Sequence, residues 1–440
     1  MLETSPRRWR WAASCALLLA GCAHYTPLPL PTAPPLSASP TVTAPLTIDQ
    51  VADLALANNP DLKAARLRRG VAAGQAKQAG ILPNPTLSGS LLPLISGAGS
   101  APAWNIGLSQ DIRALITYAP RRRAAQDSQG QVAADIVWQE WQVAGRARQL
   151  AADLILADRA RPSYASAYQL LAQRNARLEQ ALAAGNLTLT GIAPDRVALQ
   201  AARAALDGVD QKRLALRSQL NTLLGLAPGT NLPLAAEPTA RPFDAAAIRA
   251  GLPDLPGRRP DLLALRLGYA AADETVRAEI LGQFPNLVLG AGVNSDNAHV
   301  VNGGPNISLG LPIFDRNQGG VAIANATRAQ LHAEYAARLA AVQGEVGAML
   351  AEIEQLSDQL TIARRDLPAA QAAAGQAQTA FDAGRLDERG YVDLVSNRFA
   401  KDQEIMTLEN ALLDRQIAIE TLVGDGLPTA DLPAEPGTGR

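Results

Sequence analysis

The sequence predicts a chain of long α-helical coiled coils interrupted by short membrane-spanning β-strands, with the whole pattern stated twice. Three observations predict it. The order helix, strand, strand, helix recurs about 200 residues later; apolar seams at heptad-like spacing run for tens of residues; and four short segments alternate apolar with small or polar residues. Asn59-Pro60-Asp61-Leu62 opens the first copy and Arg259-Pro260-Asp261-Leu262 the second. Ile81-Leu82-Pro83-Asn84 and Phe284-Pro285-Asn286 close the corresponding helices.

At the N-terminus, Arg7, Arg8 and Arg10 precede an apolar run from Trp11 to Ala20, centred on Leu17, Leu18 and Leu19. Residues 1–21 read as a secretory signal peptide, too short to span a bilayer as a mature helix. Leu19-Ala20-Gly21-Cys22 resembles a bacterial lipoprotein cleavage box, in which Cys22 is acylated and becomes the first mature residue; ordinary signal-peptidase cleavage is the alternative. Cys22 is the only cysteine after Cys15, so the mature chain can form no internal disulfide. Ala23, where an aspartate would resemble an inner-membrane retention signal, favours the outer membrane. Residues 22–45, rich in Pro, Thr, Leu and Ser, read as a lipidated extended tether.

The first repeat is expected over residues 46–225, with Thr47 as an N-cap and Pro60 at the first position of the second helix. Its strands fall at Thr86 to Leu91 and Asn105 to Ile112; Leu87, Gly89 and Leu91 face one way, as do Ile106, Leu108 and Ile112. In the second repeat, over residues 251–424, Leu287, Leu289, Ala291 and Val293 share one face, and Ile307, Leu309, Leu311 and Ile313 another. Leu287, Leu289, Leu309 and Leu311 are therefore expected to face lipid, opposite a small, mostly polar face suited to a lumen. Four edge-like strands of a soluble sheet would show the same alternation. Runs of about 8–10 residues suit a tilted transmembrane strand, but four cannot close in lipid, so several copies must pool them.

Pro120 to Ala184 reads as one helix of about 90 Å, with a seam at Ile136, Val143, Ala147, Leu150 and Leu154 and an expected kink or break at Pro162. Leu199, Leu206, Val209, Leu216, Leu220 and Leu223 return on a helix expected to begin near Pro194. In the second half Leu331, Tyr335, Leu339, Val342, Val346, Leu350, Ile353 and Leu360 run out, and Leu394, Ile405, Leu408, Leu412, Ile419 and Leu422 run back. Gly185 and Gly384 mark the hairpin turns. Residues 226–250 read as a linker and 425–440 as a disordered tail.

Lys and Arg total 40 against 41 Asp and Glu, which leaves no field to attract nucleic acid. With only three histidines and no mature cysteine beyond the anchor, the sequence offers no metal cluster or Cys-His pair, and it has no phosphate loop. It predicts neither an enzyme nor a cofactor, the lipid on Cys22 apart.

Asn59 to Leu62, Gln78 to Pro85 and Leu108-Ser109-Gln110, with Arg259 to Leu262, Phe284 to Asn286 and Leu309 to Phe314, resemble the TolC family of outer-membrane efflux proteins. The resemblance implies an all-α coiled-coil tunnel joined to a transmembrane β-barrel, in which three protomers each give four strands to one twelve-stranded barrel. It implies an outer-membrane location and a passive channel for drugs, metal ions or other small substrates, joined through a periplasmic adaptor protein to an inner-membrane efflux pump. The Gln78 to Pro85 wording leans slightly toward the heavy-metal branch, whereas the lipoprotein start is frequent in drug-efflux members. The tips near Gly185 and Gly384 would meet the adaptor, and carboxylates on the last helix would narrow the bore. Asp393 matches that place; the usual second aspartate is Ser396 here. The alternative is a lipid-anchored periplasmic structural or adaptor coil without its own pore, which leaves the four alternating segments as coincidence.

Overall fold

The computed structural model describes residues 25–33, 44–239 and 241–428. Cys22, the leader and most of the tether lie outside them, and residues 25–33 carry no helix or strand. Thr47 caps α1 (Ile48–Asn58) in a reciprocal box: its hydroxyl accepts from the Gln50 amide while Gln50 Oε1 accepts from the Thr47 amide. Asn59 caps α2 (Pro60–Ala79) through the Leu62 amide, with Pro60 where no helical N–H is needed. There follow β1 (Thr86–Leu92), β2 (Ala103–Asp111), α3 (Ile112–Ile116), α4 (Tyr118–Ala183) and α5 (Leu189–Leu223). After short helices α6 (Ala245–Gly251) and α7 (Leu255–Arg258), the order recurs as α8 (Pro260–Leu281), β3 (Asn286–Ser295), β4 (Val301–Gly310), α9 (Gln318–Asp382) and α10 (Glu388–Val423).

The 66 residues of α4 and 65 of α9 make helices of about 100 Å each. Pro162 does not break α4, and Pro368 sits likewise inside α9. Both prolines are exposed, so the carbonyl left without its i+4 donor stays open to water, and seam packing on the other face holds the helix. The return in the first half starts at Leu189, before Pro194, because Thr188 supplies the cap: its Oγ1 accepts from the Gly191 amide. Ile112 belongs to α3 and not to β2, since the Asp111 carboxylate accepts from the Ala114 amide and turns the chain. Leu394 is exposed; Val392 and Phe399 fill that part of the α10 seam instead.

The two largest apolar clusters hold most of the helices together. Val51, Ala55, Ala147, Leu150, Leu220 and Leu224 pack with Ile417 where α1, α4, α5 and α10 meet, and Leu262, Val342, Val346 and Ile419 join α8, α9 and α10. Alanines let the axes approach closely. At Gly145 a Cβ would come 2.4 Å from Thr421 Oγ1, so α4 and α10 touch there only because the side chain is missing.

The stretch between the halves is pinned, unlike a loose linker. Leu46 and Leu234 form a parallel bridge, Asn221 Nδ2 donates to the Thr230 carbonyl, and Leu226 is buried. The start of the expected disordered tail is also packed: Leu427 is buried, the Pro428 carbonyl accepts from Trp141 Nε1, and that of Gly426 from Arg148. Residues 429–440 lie outside the described residues.

Candidate functional site

The four strands form one antiparallel sheet in the order β1-β2-β3-β4. Its register aligns Leu87 with Leu108, Ile106 with Val293, Leu289 with Ile307 and Leu287 with Leu309, so the apolar positions of all four strands share one face. Leu87, Ile106, Leu289, Ile307 and Leu309 are exposed on it, Ile307 to 72%. Ser88, Asn105, Asn294, Asn306 and Ser308 occupy the other face among glycines. The alternation assigned to Leu287, Leu289 and Leu309 is thus met in one sheet. Leu311 and Ile313 are not strand residues: β4 ends at Gly310 before Pro312, although Leu311 still continues the stripe as an exposed side chain.

The helices repeat the order of the strands. α2 and α5 pack on α4, α4 packs on α8 and α10, and these pack on α9. In each half a short helix stacks end to end on a returning one. Asn59 Nδ2 donates to the Leu223 carbonyl at 2.8 Å, and at the matching position Arg259 Nη1 donates to the Leu422 carbonyl at 3.3 Å. One edge of this wall is therefore β1, α2 and α5, and the other is β4 and α9. Large apolar side chains lie exposed along both: Leu67, Val71 and Leu214 on the first, Ile323 and Ile362 on the second.

Where the halves meet, Asp414 of α10 is pushed up to about 6 by burial and by the Asp153 carboxylate of α4, against the pull of Lys212, Arg415 and Arg146. Its contribution to stability is therefore full below the unfolded value of about 4 and is lost as pH rises through about 6.

Both hairpin tips use one device. Gly185 and Gly384 take φ of +77° and +69°, and the residue three further on caps the return, Thr188 in one and Asp387 in the other. With its Oδ1 on the Gly390 amide, Asp387 is occupied as a cap. Asp393 is 71% exposed and lies 3.9 Å from Arg389, while Ser396 is half-buried one turn further along α10. Sequence reasoning missed the link between the tips, Arg177 Nη1 to Glu388 Oε1 at 2.9 Å, because no local pattern joins residues 211 apart. It also missed Trp104, on the apolar face at one end of β2, and Phe284 and Phe314, exposed beside the opposite ends of the strands. In a chain with 4% aromatics, these positions were the available signal. No helix among the described residues is long and apolar enough to cross a membrane.

The outer membrane efflux protein family model matches residues 252–425. The cation efflux system protein CusC of Escherichia coli is 26% identical over 246 residues, covering 52% of this chain and 54% of that protein. The probable outer membrane lipoprotein SilC of Salmonella typhimurium is 24% identical over 268 residues, 58% of this chain and 57% of its own length. The matched segment thus spans about half the length of these relatives. The crystal structure of the outer membrane protein VceC from Vibrio cholerae superposes with a TM-score of 0.69 at 18% identity, covering 86% of this chain and 96% of that one. The chain is thus similar to outer membrane efflux proteins in sequence over its second half, and it shares the fold of VceC through both halves.

Proposed function

We propose that three copies of this chain close into a passive outer-membrane channel of a tripartite efflux system, conducting small substrates driven by an inner-membrane pump through a periplasmic adaptor. The carrying observation is the coincidence of edges: β1 with α2 and α5 on one side, β4 with α9 on the other. Both sheet edges have unpaired backbone groups, which lipid does not tolerate, and copies joined head to tail pair β4 of one with β1 of the next while covering the exposed apolar helix faces. Three protomers give a twelve-stranded barrel with Leu287, Leu289 and Leu309 toward lipid, Leu311 at its lower margin and the serines and asparagines inward. Trp104 at one end of the strands, and Phe284 and Phe314 beside the other, then mark the two membrane interfaces. A pore-less structural coil would leave the apolar sheet face and both edges without partners. Heat-resistant trimers in detergent with conductance in planar bilayers are expected; monomers without conductance would refute the channel.

One similar protein is a cation efflux system protein, which makes metal ions one substrate class to test here, with drugs the other. Cys22 is proposed as the acylated first residue of the mature protein. Labelling with a radioactive fatty acid should mark the wild type and not Cys22→Ser, with the variant still inserting through its barrel; equal labelling would sink the assignment.

The tips at Gly185 and Gly384 are proposed as the adaptor contact, and Asp393, with Ser396 beside it, as the periplasmic constriction. Three Asp393 carboxylates converging on the axis attract multivalent cations, in a wet ring screened over about 8 Å at physiological salt. Asp393→Ala should reduce block by periplasmic multivalent cations at fixed voltage. Unchanged block would return Asp393 to the solvated face.

A further inference from the structure

A cavity of about 380 Å³ lies where β2 and β4 end and β3 begins, between the starts of α3, α4 and α9 and the end of α8. Arg113, Arg121 and Arg316 line it together with Asp111, Glu279 and Asp315. The two sets of charges are not paired with each other. Among the described residues no ion pair engages any of these guanidinium groups, and Arg316 gives only its Nε, to the Pro312 carbonyl. Elsewhere on the wall, arginines such as Arg161, Arg259 and Arg328 are each held by a carboxylate. The three acids are fixed by amides instead: Asp111 Oδ1 accepts from Ala114 N at 3.0 Å, Asp315 Oδ1 from Asn317 N at 2.8 Å, and Glu279 Oε2 from Asn317 Nδ2 at 2.6 Å. One oxygen of each remains without a hydrogen bond among the described residues. The cavity thus offers unoccupied cationic donors and anionic acceptors side by side, with no net formal charge.

That pattern fits a zwitterion better than a simple anion. Phe284 and Leu311 stand at the rim, exposed to 43% and 68%, where the apolar stripe of the sheet continues toward the helices. On the channel reading this is the level of the inner-leaflet headgroups. We propose that the cavity binds the headgroup of a zwitterionic glycerophospholipid, its phosphodiester on Arg113, Arg121 and Arg316 and its primary ammonium on Glu279 and Asp315, with Phe284 and Leu311 against the upper acyl carbons. Charge-assisted bonds to a forked donor give the phosphate contact its strength, and the acids give the preference for an N–H cation.

The test is native mass spectrometry of the full-length protein in detergent, titrated with short-chain phosphatidylethanolamine, phosphatidylcholine or phosphatidylglycerol. Phosphatidylethanolamine should bind more tightly than the other two, and Arg113→Gln/Arg121→Gln should weaken it by on the order of tenfold. Both arginines are free of ion pairs, so the double variant should keep the wild-type circular dichroism spectrum. Glu279→Gln should abolish the preference for phosphatidylethanolamine over phosphatidylcholine. Equal binding of all three lipids, unaffected by the arginine changes, would overturn the site in favour of an ordinary annulus. Displacement by inorganic phosphate at the lipid's own concentration would overturn the lipid assignment in favour of a free-anion site. Conductance of the same preparation separates the two claims: current without selective binding removes the headgroup site alone, and absence of current removes the channel reading on which it rests.

Discussion

Replacing Arg259 with alanine is expected to destabilise the protein by about 3 kcal/mol, toward the lower end of the range for breaking a buried ion pair. Arg259 is fully buried. Its Nε and Nη2 hold Asp261 Oδ1 and Oδ2 at 2.9 and 2.7 Å, its Nη1 donates to the Leu422 carbonyl, and its guanidinium lies 4.8 Å from the Trp138 ring centroid. Truncation removes the fork, the cap on the end of α10 and the ring contact together. The loss stays near the lower end because Arg338 Nε, 2.8 Å from Asp261 Oδ2, still partners the carboxylate. Lysine should recover only part, since an ammonium cannot make the two-pronged contact and reach Leu422 as well.

The pH dependence of that loss follows from Asp261. Burial alone would raise its pKa, but the hydrogen bonds and charges of Arg259 and Arg338 outweigh burial and hold it below the usual carboxylate value. A lowered folded-state pKa adds stability that is present above the unfolded value of about 4 and lost as pH falls through the folded one. Thermal unfolding at pH 7 should therefore separate Arg259→Ala from wild type, with the gap closing in acid. A gap that stayed constant through pH 3 would mean that packing on Trp138, and not the ion pair, sets the effect. In the first half Asn59 performs the same joint with a neutral amide, and Asn59→Ala should cost about 1 kcal/mol, as for a lost N-cap.

The contrast at this joint illustrates what a sequence can disclose. Pro60 and Pro260 were legible as helix starts because proline states its own backbone requirement locally. The faces of the sheet were legible too, because a period of two survives whatever the partner strand is. The role of Arg259 was not: its partners include Trp138 and Leu422, more than a hundred residues away on either side. The Arg177–Glu388 link and the seat of Leu427 against the core are hidden for the same reason. No break occurs at Pro162, because a proline's cost depends on whether its face is wet, which only the packed helix decides. At Asp393 half of the local pattern is present, with Ser396 in the second aspartate's place, but a gate is a relation among protomers, and one chain defines only a solvated carboxylate beside Arg389.

The faces of the sheet carry the second large effect. Leu309 pairs with Leu287 on the apolar face of β4, and Ser308 pairs with Val288 on the other. If Leu309 meets lipid near mid-membrane, Leu309→Arg should cost about 2–4 kcal/mol of insertion, falling toward zero the nearer the residue lies to the headgroups. Its register places it one pair from the end of β4, so the lower part of that range is expected; Ile307, one step further in and 72% exposed, should suffer more from the same change. Ser308→Arg adds the same charge and bulk one residue away, but turned toward the proposed lumen, where water solvates a guanidinium. It should leave the amount of trimer in outer-membrane fractions near wild type while altering single-channel conductance and cation selectivity. Quantifying assembled trimer on semi-native gels for Ile307→Arg, Leu309→Arg and Ser308→Arg, alongside conductance of each, distinguishes the alternatives. The order expected for loss of trimer is Ile307 worst, Leu309 next and Ser308 least. Equal loss at all three would mean that the sheet does not separate lipid from water, and loss at Ser308 alone would invert the faces.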